Sequence, residues 1–243
     1  MPMTDHTVKS YDDELKNLHE DILRMGGIAE AQFASAIQAV TKRDADVAAV
    51  TVKGDAKLDE LNNVVDQRVV RMLALRQPMA SDLREIISSL KIAADVERIG
   101  DYAANIAKRS IAIAEMRPVK PIASIPRMGR LVQHLIKDVL DAYNERDAEK
   151  AKQVWLRDEE VDDAYNALFR ETLTYMMEDP RNITPCTHLL FVAKNIERIG
   201  DHATNIAETI YFIVHGATLN QNRPKGDSSS FLVVTPDDGA AKG

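Results

Sequence analysis

An internal repeat constrains this chain more than any other feature. Shifted by 100 residues, residues 92–107 fall on 192–207, and ten of the sixteen aligned positions are identical. Among them is Glu97-Arg98-Ile99-Gly100-Asp101, matched by Glu197-Arg198-Ile199-Gly200-Asp201. Upstream, at a shift of 103, Arg43-Asp44-Ala45-Asp46 falls on Arg146-Asp147-Ala148-Glu149, and Asp55 and Asp59 fall on Asp158 and Asp162. A shift that changes so little between blocks implies one duplicated unit with small loop insertions, so the fold of one copy predicts that of the other.

Each unit reads as three helices. Ile92, Val96, Ile99, Ala103, Ile106, Ser110 and Ile113 are spaced alternately four and three, and Val192, Ile196, Ile199, Ala203, Ile206, Ile210 and Ile213 repeat the pattern. Such a 3.5-residue period is the seam of a helix packed lengthwise in a bundle, and strand alternation is nowhere sustained. Asp44 and Asp147 each precede a new amphipathic run, as N-caps do. Pro78 and Pro180 mark the ends of the second helices, which are expected to run unbroken over 44–76 and 147–178. Thr184-Pro185 reads as a cap followed by proline at the first helical position. The expectation is an all-α chain of six long helices. Residues 1–116 form a first three-helix bundle, 117–126 a proline-marked linker, 127–215 a second bundle, and 216–243 a mobile tail with an apolar docking segment at 231–234.

Composition narrows the function. With 45% hydrophobic residues in 243, there is material for a sizeable core, and a net charge of -7 with interspersed signs points away from nucleic acid. The single cysteine, Cys186, excludes an internal disulfide and a thiolate zinc site of the usual composition, and fits a reducing compartment. The first twenty residues carry Asp12, Asp13, Glu14 and Glu20 and no signal-peptide core. No run of about 18 apolar residues occurs, so a cytoplasmic protein that meets membranes through partners is expected.

The carboxylates are the candidate chemistry. Glu97, Asp101 and Asn105 recur every four residues on the third helix, off the apolar seam, and Glu197, Asp201 and Asn205 repeat them. The second helices add Asp55 with Asp59, and Asp158 with Asp162. Acids at i and i+4 repel by roughly 0.2–0.5 kcal/mol where a lysine or arginine would attract. Exposed acids are ordinary on a solvated face, and Arg98 is placed to pair with Asp101. Repetition on two helices in each of two copies argues instead for converging oxygens around a hard cation such as Fe, Mn, Mg or Ca rather than Zn. The stripe is expected to face outward. Gly100 and Gly200 cost about 1 kcal/mol each in a helix, which suggests close approach by a neighbour. Asn105 and Asn205 suit either metal ligation or a cross-helix bond. The six histidines form no cluster, and His202, beside the second motif, aligns with Tyr102.

The run Gln77-Pro78-Met79-Ala80-Ser81-Asp82-Leu83-Arg84, leading into Glu97-Arg98-Ile99-Gly100-Asp101 and its second copy, resembles the PhoU family over residues 8–215. The resemblance implies two three-helix bundles related by a pseudo-twofold. It also implies metal clusters held by Asp55 with Asp59, Glu97 with Asp101, Asp158 with Asp162, and Glu197 with Asp201. It further implies a homodimeric, cytoplasmic negative regulator of the phosphate regulon. The partners implied are the ATPase subunit of the high-affinity phosphate ABC transporter and the regulon's sensor histidine kinase. The second unit has Arg181-Asn182-Ile183-Thr184-Pro185 where the first has its Ala-Ser-Asp-Leu-Arg turn, so any role of that turn is confined to Ser81, Asp82 and Arg84. No nucleophile elbow, phosphate loop or dinucleotide fingerprint is present, which favours a non-enzymatic adaptor. The competing reading is a metal-dependent, phosphoesterase-like enzyme using the same carboxylates.

Overall fold

The structure, a computed structural model, describes residues 3–219. Its helices are α1 (Met3–Lys42), α2 (Ala45–Arg76), α3 (Ala80–Glu115), α4 (Ile125–Glu145), α5 (Ala148–Leu156), α6 (Asp158–Glu178) and α7 (Ile183–His215), and no strand occurs among the described residues. Helices α1–α3 form one three-helix bundle. Helix α4, α5 and α6 taken together, and α7 form the second, so six long helical positions are filled.

The bundles join along α3 and α7. Arg84 near the start of α3 donates to Ile213 O near the end of α7 at 3.1 Å. Asp95 meets His202 at 2.7 Å in the middle, and the Arg109 guanidinium lies 4.0 Å from the Phe191 ring centre at the other end. Residue numbers rise along one helix as they fall along the other. Because the helices are repeats of each other, this antiparallel contact is a pseudo-twofold. The two seams are buried throughout, apart from a half-buried Ile213, and belong to one continuous core. Each fully buried isoleucine or valine of these seams contributes roughly 1.5–3 kcal/mol.

The repeated Arg-Asp pairs make the corners between first and second helices. Asp44 Oδ1 accepts from the backbone N–H of Asp46 and Val47 at 3.1 and 2.9 Å. Asp147 Oδ1 accepts from Glu149 and Lys150 N–H at 2.9 and 3.0 Å. Each arginine sits in the left-handed region, with φ of 57° at Arg43 and 53° at Arg146, which costs a non-glycine residue about 1 kcal/mol or more. The long side chain offsets that strain. Arg43 donates to Ala114 O at 2.9 Å and to Met116 O, closing carbonyls at the end of α3, and Arg146 pairs with Glu85 near the start of α3.

Several local expectations are corrected. The second helix of the second unit is not continuous: it breaks at Arg157 (φ -89°, ψ 2°). Arg157 is held by Asp138 of α4 at 2.9 Å, and Asp158, Glu159 and Glu160 follow it as the first turn of α6. Three consecutive acids are favoured at a helix N-terminus, where free amides attract them, over a helix middle. Thr184 is not a cap either. Helix α7 begins at Ile183 behind a short 3₁₀ turn, Pro180–Asn182, whose own cap is Asp179, accepting from Arg181 N–H at 2.9 Å. Part of the expected linker is regular: Lys120–Ser124 is a 3₁₀ turn, and Pro126 lies in the first turn of α4. Gly216, with φ 69°, closes α7 by donating to Phe212 O at 2.9 Å. Leu219 packs against the core, and the apolar segment 231–234 lies outside the described residues.

The two motif glycines are not equivalent. A Cβ on Gly100 would lie 2.3 Å from Leu58 Cδ2, a side chain with no exposed surface, whereas on Gly200 the nearest atom, Val161 Cγ1, would be 3.4 Å away. Gly100→Ala is therefore expected to destabilise by about 1–3 kcal/mol through overpacking. Gly200→Ala is expected to be neutral or to stabilise by up to about 1 kcal/mol through helix propensity. Urea unfolding of the two variants checks this, and equal destabilisation would contradict it.

Candidate metal centre

In each bundle the second and third helices bring their acids together. On α3, burial pushes the Glu97 carboxyl above its ordinary range, and the charges of Asp101, Asp59 and Asp55 push it further, against the opposing pull of Arg98. Asp59 on α2, though exposed, is raised by partial desolvation against its neighbours and then by the charges of Asp55 and Asp101. In the second bundle Glu197 is raised to about 7. Burial is the main cause, the Lys194 hydrogen bond opposes it, and Asp201 and Asp162 add to it. Thr204 Oγ lies 3.1 Å from Asp158 Oδ1, which places Asp158 against α7.

The outward orientation holds for the first bundle and fails for the second. Asp55, Glu97 and Asp101 are half-buried and Asp59 is exposed. Asp158, Asp162 and Glu197 are 3%, 4% and 6% exposed, and Asp201 is half-buried. Packing against α7 accompanies this burial: Asp158, the first residue of α6, lies 3.1 Å from Thr204 of α7.

Three polar residues at these sets escaped sequence reasoning. Gln32 of α1 donates from Nε2 to Asp55 Oδ1 at 3.0 Å and lies 3.4 Å from Gly100 O. Thr204 lies within hydrogen-bond reach of both Asp158 and Gly200 O, at 3.1 and 3.0 Å, its single proton serving either. Lys194 Nζ donates to Glu197 Oε1 at 3.0 Å. All three sit where the repeats disagree, opposite Leu135, Ala104 and Ala94. Those mismatches were the signal that could have found them. His202 and Asn205 reach the junction between bundles: Asp95 Oδ1 takes His202 Nδ1 at 2.7 Å and Asn205 Nδ2 at 3.4 Å.

The PhoU domain family model matches the chain twice, over residues 22–110 and 125–210. The chain belongs to the PhoU family. A phosphate-specific transport system accessory protein PhoU homolog of Caulobacter vibrioides is 56% identical over 226 residues, covering 93% of this chain and 98% of its own length. Its counterpart from Rhizobium meliloti is 50% identical, with 93% and 96% covered. The crystal structure of PhoU from Pseudomonas aeruginosa superposes with a TM-score of 0.82 at 38% identity, over 85% of this chain and all of that one. The phosphate transport system regulatory protein PhoU from Streptococcus pneumoniae superposes with a TM-score of 0.81 at 28% identity, over 87% of this chain.

In this PhoU protein the donor chemistry suits a hard cation. The oxygens are carboxylates, and one of them, Glu197 Oε2, is buried without a hydrogen-bond partner, a costly state for a polar atom. As the side chains stand, no group of three or more His, Cys, Asp or Glu among the described residues is placed to hold a metal ion. Arg98 lies 2.9 Å from Asp101 and 3.7 Å from Glu97, and Lys194 engages Glu197. A metal ion taking these oxygens would displace both pairs. Without metal, the raised Glu197 carboxyl makes stability pH-dependent. The folded state binds that proton more tightly than the unfolded chain, whose value is 4.5. The stabilisation is fully present below the unfolded value and is lost as pH rises through about 7, with a ceiling of about 3 kcal/mol. The urea midpoint of metal-free protein should therefore fall between about pH 5 and about pH 8, with a shallower fall in Glu197→Gln. An identical slope in the variant would show that Glu197 is not its source.

Proposed function

We propose that this protein is a negative regulator of phosphate uptake that works as an adaptor, without catalysis. It couples the ATPase subunit of a high-affinity phosphate ABC transporter to the sensor histidine kinase of the phosphate regulon, and holds the regulon off when phosphate is plentiful. The observation that carries the reading is the match of both repeats to the PhoU domain, over residues 22–110 and 125–210, together with relatives named as accessory and regulatory proteins of phosphate transport. The same proposal treats residues 1–116 and 127–215 as two repeated domains and the protein as a homodimer. It works in the cytoplasm and reaches the membrane through its partners; no helix among the described residues is long and apolar enough to cross one. Long helices with exposed faces suit docking to large partners.

The metal reading belongs to this proposal. Asp55, Asp59, Glu97 and Asp101 hold a hard cation in the first bundle, and Asp158, Asp162, Glu197 and Asp201 hold one in the second. Fe, Mn, Mg and Ca all suit such all-oxygen donors. The buried, unpartnered Glu197 oxygen supports it.

Deleting the gene is expected to release alkaline phosphatase synthesis in high phosphate, and the wild-type gene to restore repression. Unchanged repression in the deletion strain would remove the regulator reading. For the metal, Asp101→Ala combined with Asp201→Ala should lower the metal content of purified protein, and equal content would sink the ligand assignment.

A further inference from the structure

The two acidic sets carry equivalent carboxylates but different counter-cations. In the first bundle Arg98 pairs with Asp101 at 2.9 Å, and its side chain is 57% exposed. An ion pair so open to water contributes little and gives way easily to a stronger ligand. In the second bundle Arg198 lies instead over the Tyr102 ring, 5.6 Å from its centre. The cation at Glu197 is Lys194, with Nζ 3.0 Å from Oε1, and the lysine and glutamate side chains are 33% and 7% exposed. The ammonium also lies 5.0 Å from the centre of the Tyr165 ring. The first repeat has Ala94 at the equivalent position, so this cation is particular to the second bundle. It occupies one oxygen of a glutamate whose other oxygen is buried and unpartnered.

We propose that Lys194 is a resident cation of the second acidic set, so that metal enters that set by exchange with the lysine and the two bundles fill unequally, the first before the second. This rests on the carboxylates being metal ligands. Removing the partner of a buried charge is strongly unfavourable, so the ionised Glu197 carboxylate needs a cation beside it. The four-carbon stem of lysine lets the ammonium swing to solvent when a metal ion arrives. At the first set an incoming ion displaces a solvated guanidinium; at the second it displaces a half-buried ammonium held by a carboxylate and an aromatic face. One protein thereby carries a tighter and a weaker metal site built from the same motif.

The test is titration of chelator-stripped, full-length protein with Mn²⁺, alongside thermal unfolding of metal-free and Mn²⁺-saturated samples. Wild type should show two classes of site, and Asp101→Ala should lose the tighter one. Lys194→Ala and Lys194→Met should each tighten the weaker class at least tenfold and leave the tighter class unchanged. They should also lower the Tm of metal-free protein while narrowing or reversing that loss at saturating Mn²⁺. The methionine variant keeps the aliphatic stem, which covers the case in which alanine impairs folding. Equal affinities in wild type, or a weaker class that neither Lys194 variant alters, would overturn the proposal while leaving the metal reading in place. Absence of Mn²⁺ binding in wild type and every variant would overturn both.

Discussion

The packing of α3 against α7 organises the rest of the molecule. Each is the third helix of its bundle, each carries a seam buried in its own core, and each also carries acidic residues beside that seam. Laid antiparallel, the two repeats meet through a different contact at each level: Arg84 with Ile213, Asp95 with His202 and Asn205, and Arg109 with Phe191. A helix that packs on its own bundle and on its repeat has little free surface. Glu97, Asp101, Glu197 and Asp201 lie at the edge of that packing, on the side where the second helix brings its own acids.

The corners show how a repeated sequence repeats its physics while serving different neighbours. Asp44 and Asp147 cap their helices with the same two-donor geometry. Arg43 and Arg146 adopt the same left-handed backbone, but one side chain closes the end of α3 and the other pairs with Glu85 near its start. The backbone solution is copied because it depends on local chain geometry. The side-chain partner differs because the two ends of α3 face opposite corners.

The two acidic sets differ in the same way. The two repeats carry matching carboxylates, and three differences between them alter the surroundings: Gln32 opposite Leu135, Thr204 opposite Ala104 and Lys194 opposite Ala94. The first set stays half-buried to exposed, whereas Asp158, Asp162 and Glu197 of the second are buried. Were both sets to hold metal as proposed, two unequal sites would respond over a wider range of cation concentration than two equal ones.

The helical class, the duplicated units, both seams and the Asp44 and Asp147 caps were legible in the sequence, because they depend on periodicity and on interactions spanning only a few residues. All eight candidate carboxylates were legible for the same reason: i and i+4 on a helix is a local relation. Tertiary structure alone decided that Asp158, Asp162 and Glu197 are buried, that Lys194 holds Glu197, and that His202 and Asn205 belong to the junction. Burial and pairing depend on which helix lies opposite, a relation between residues far apart in the chain.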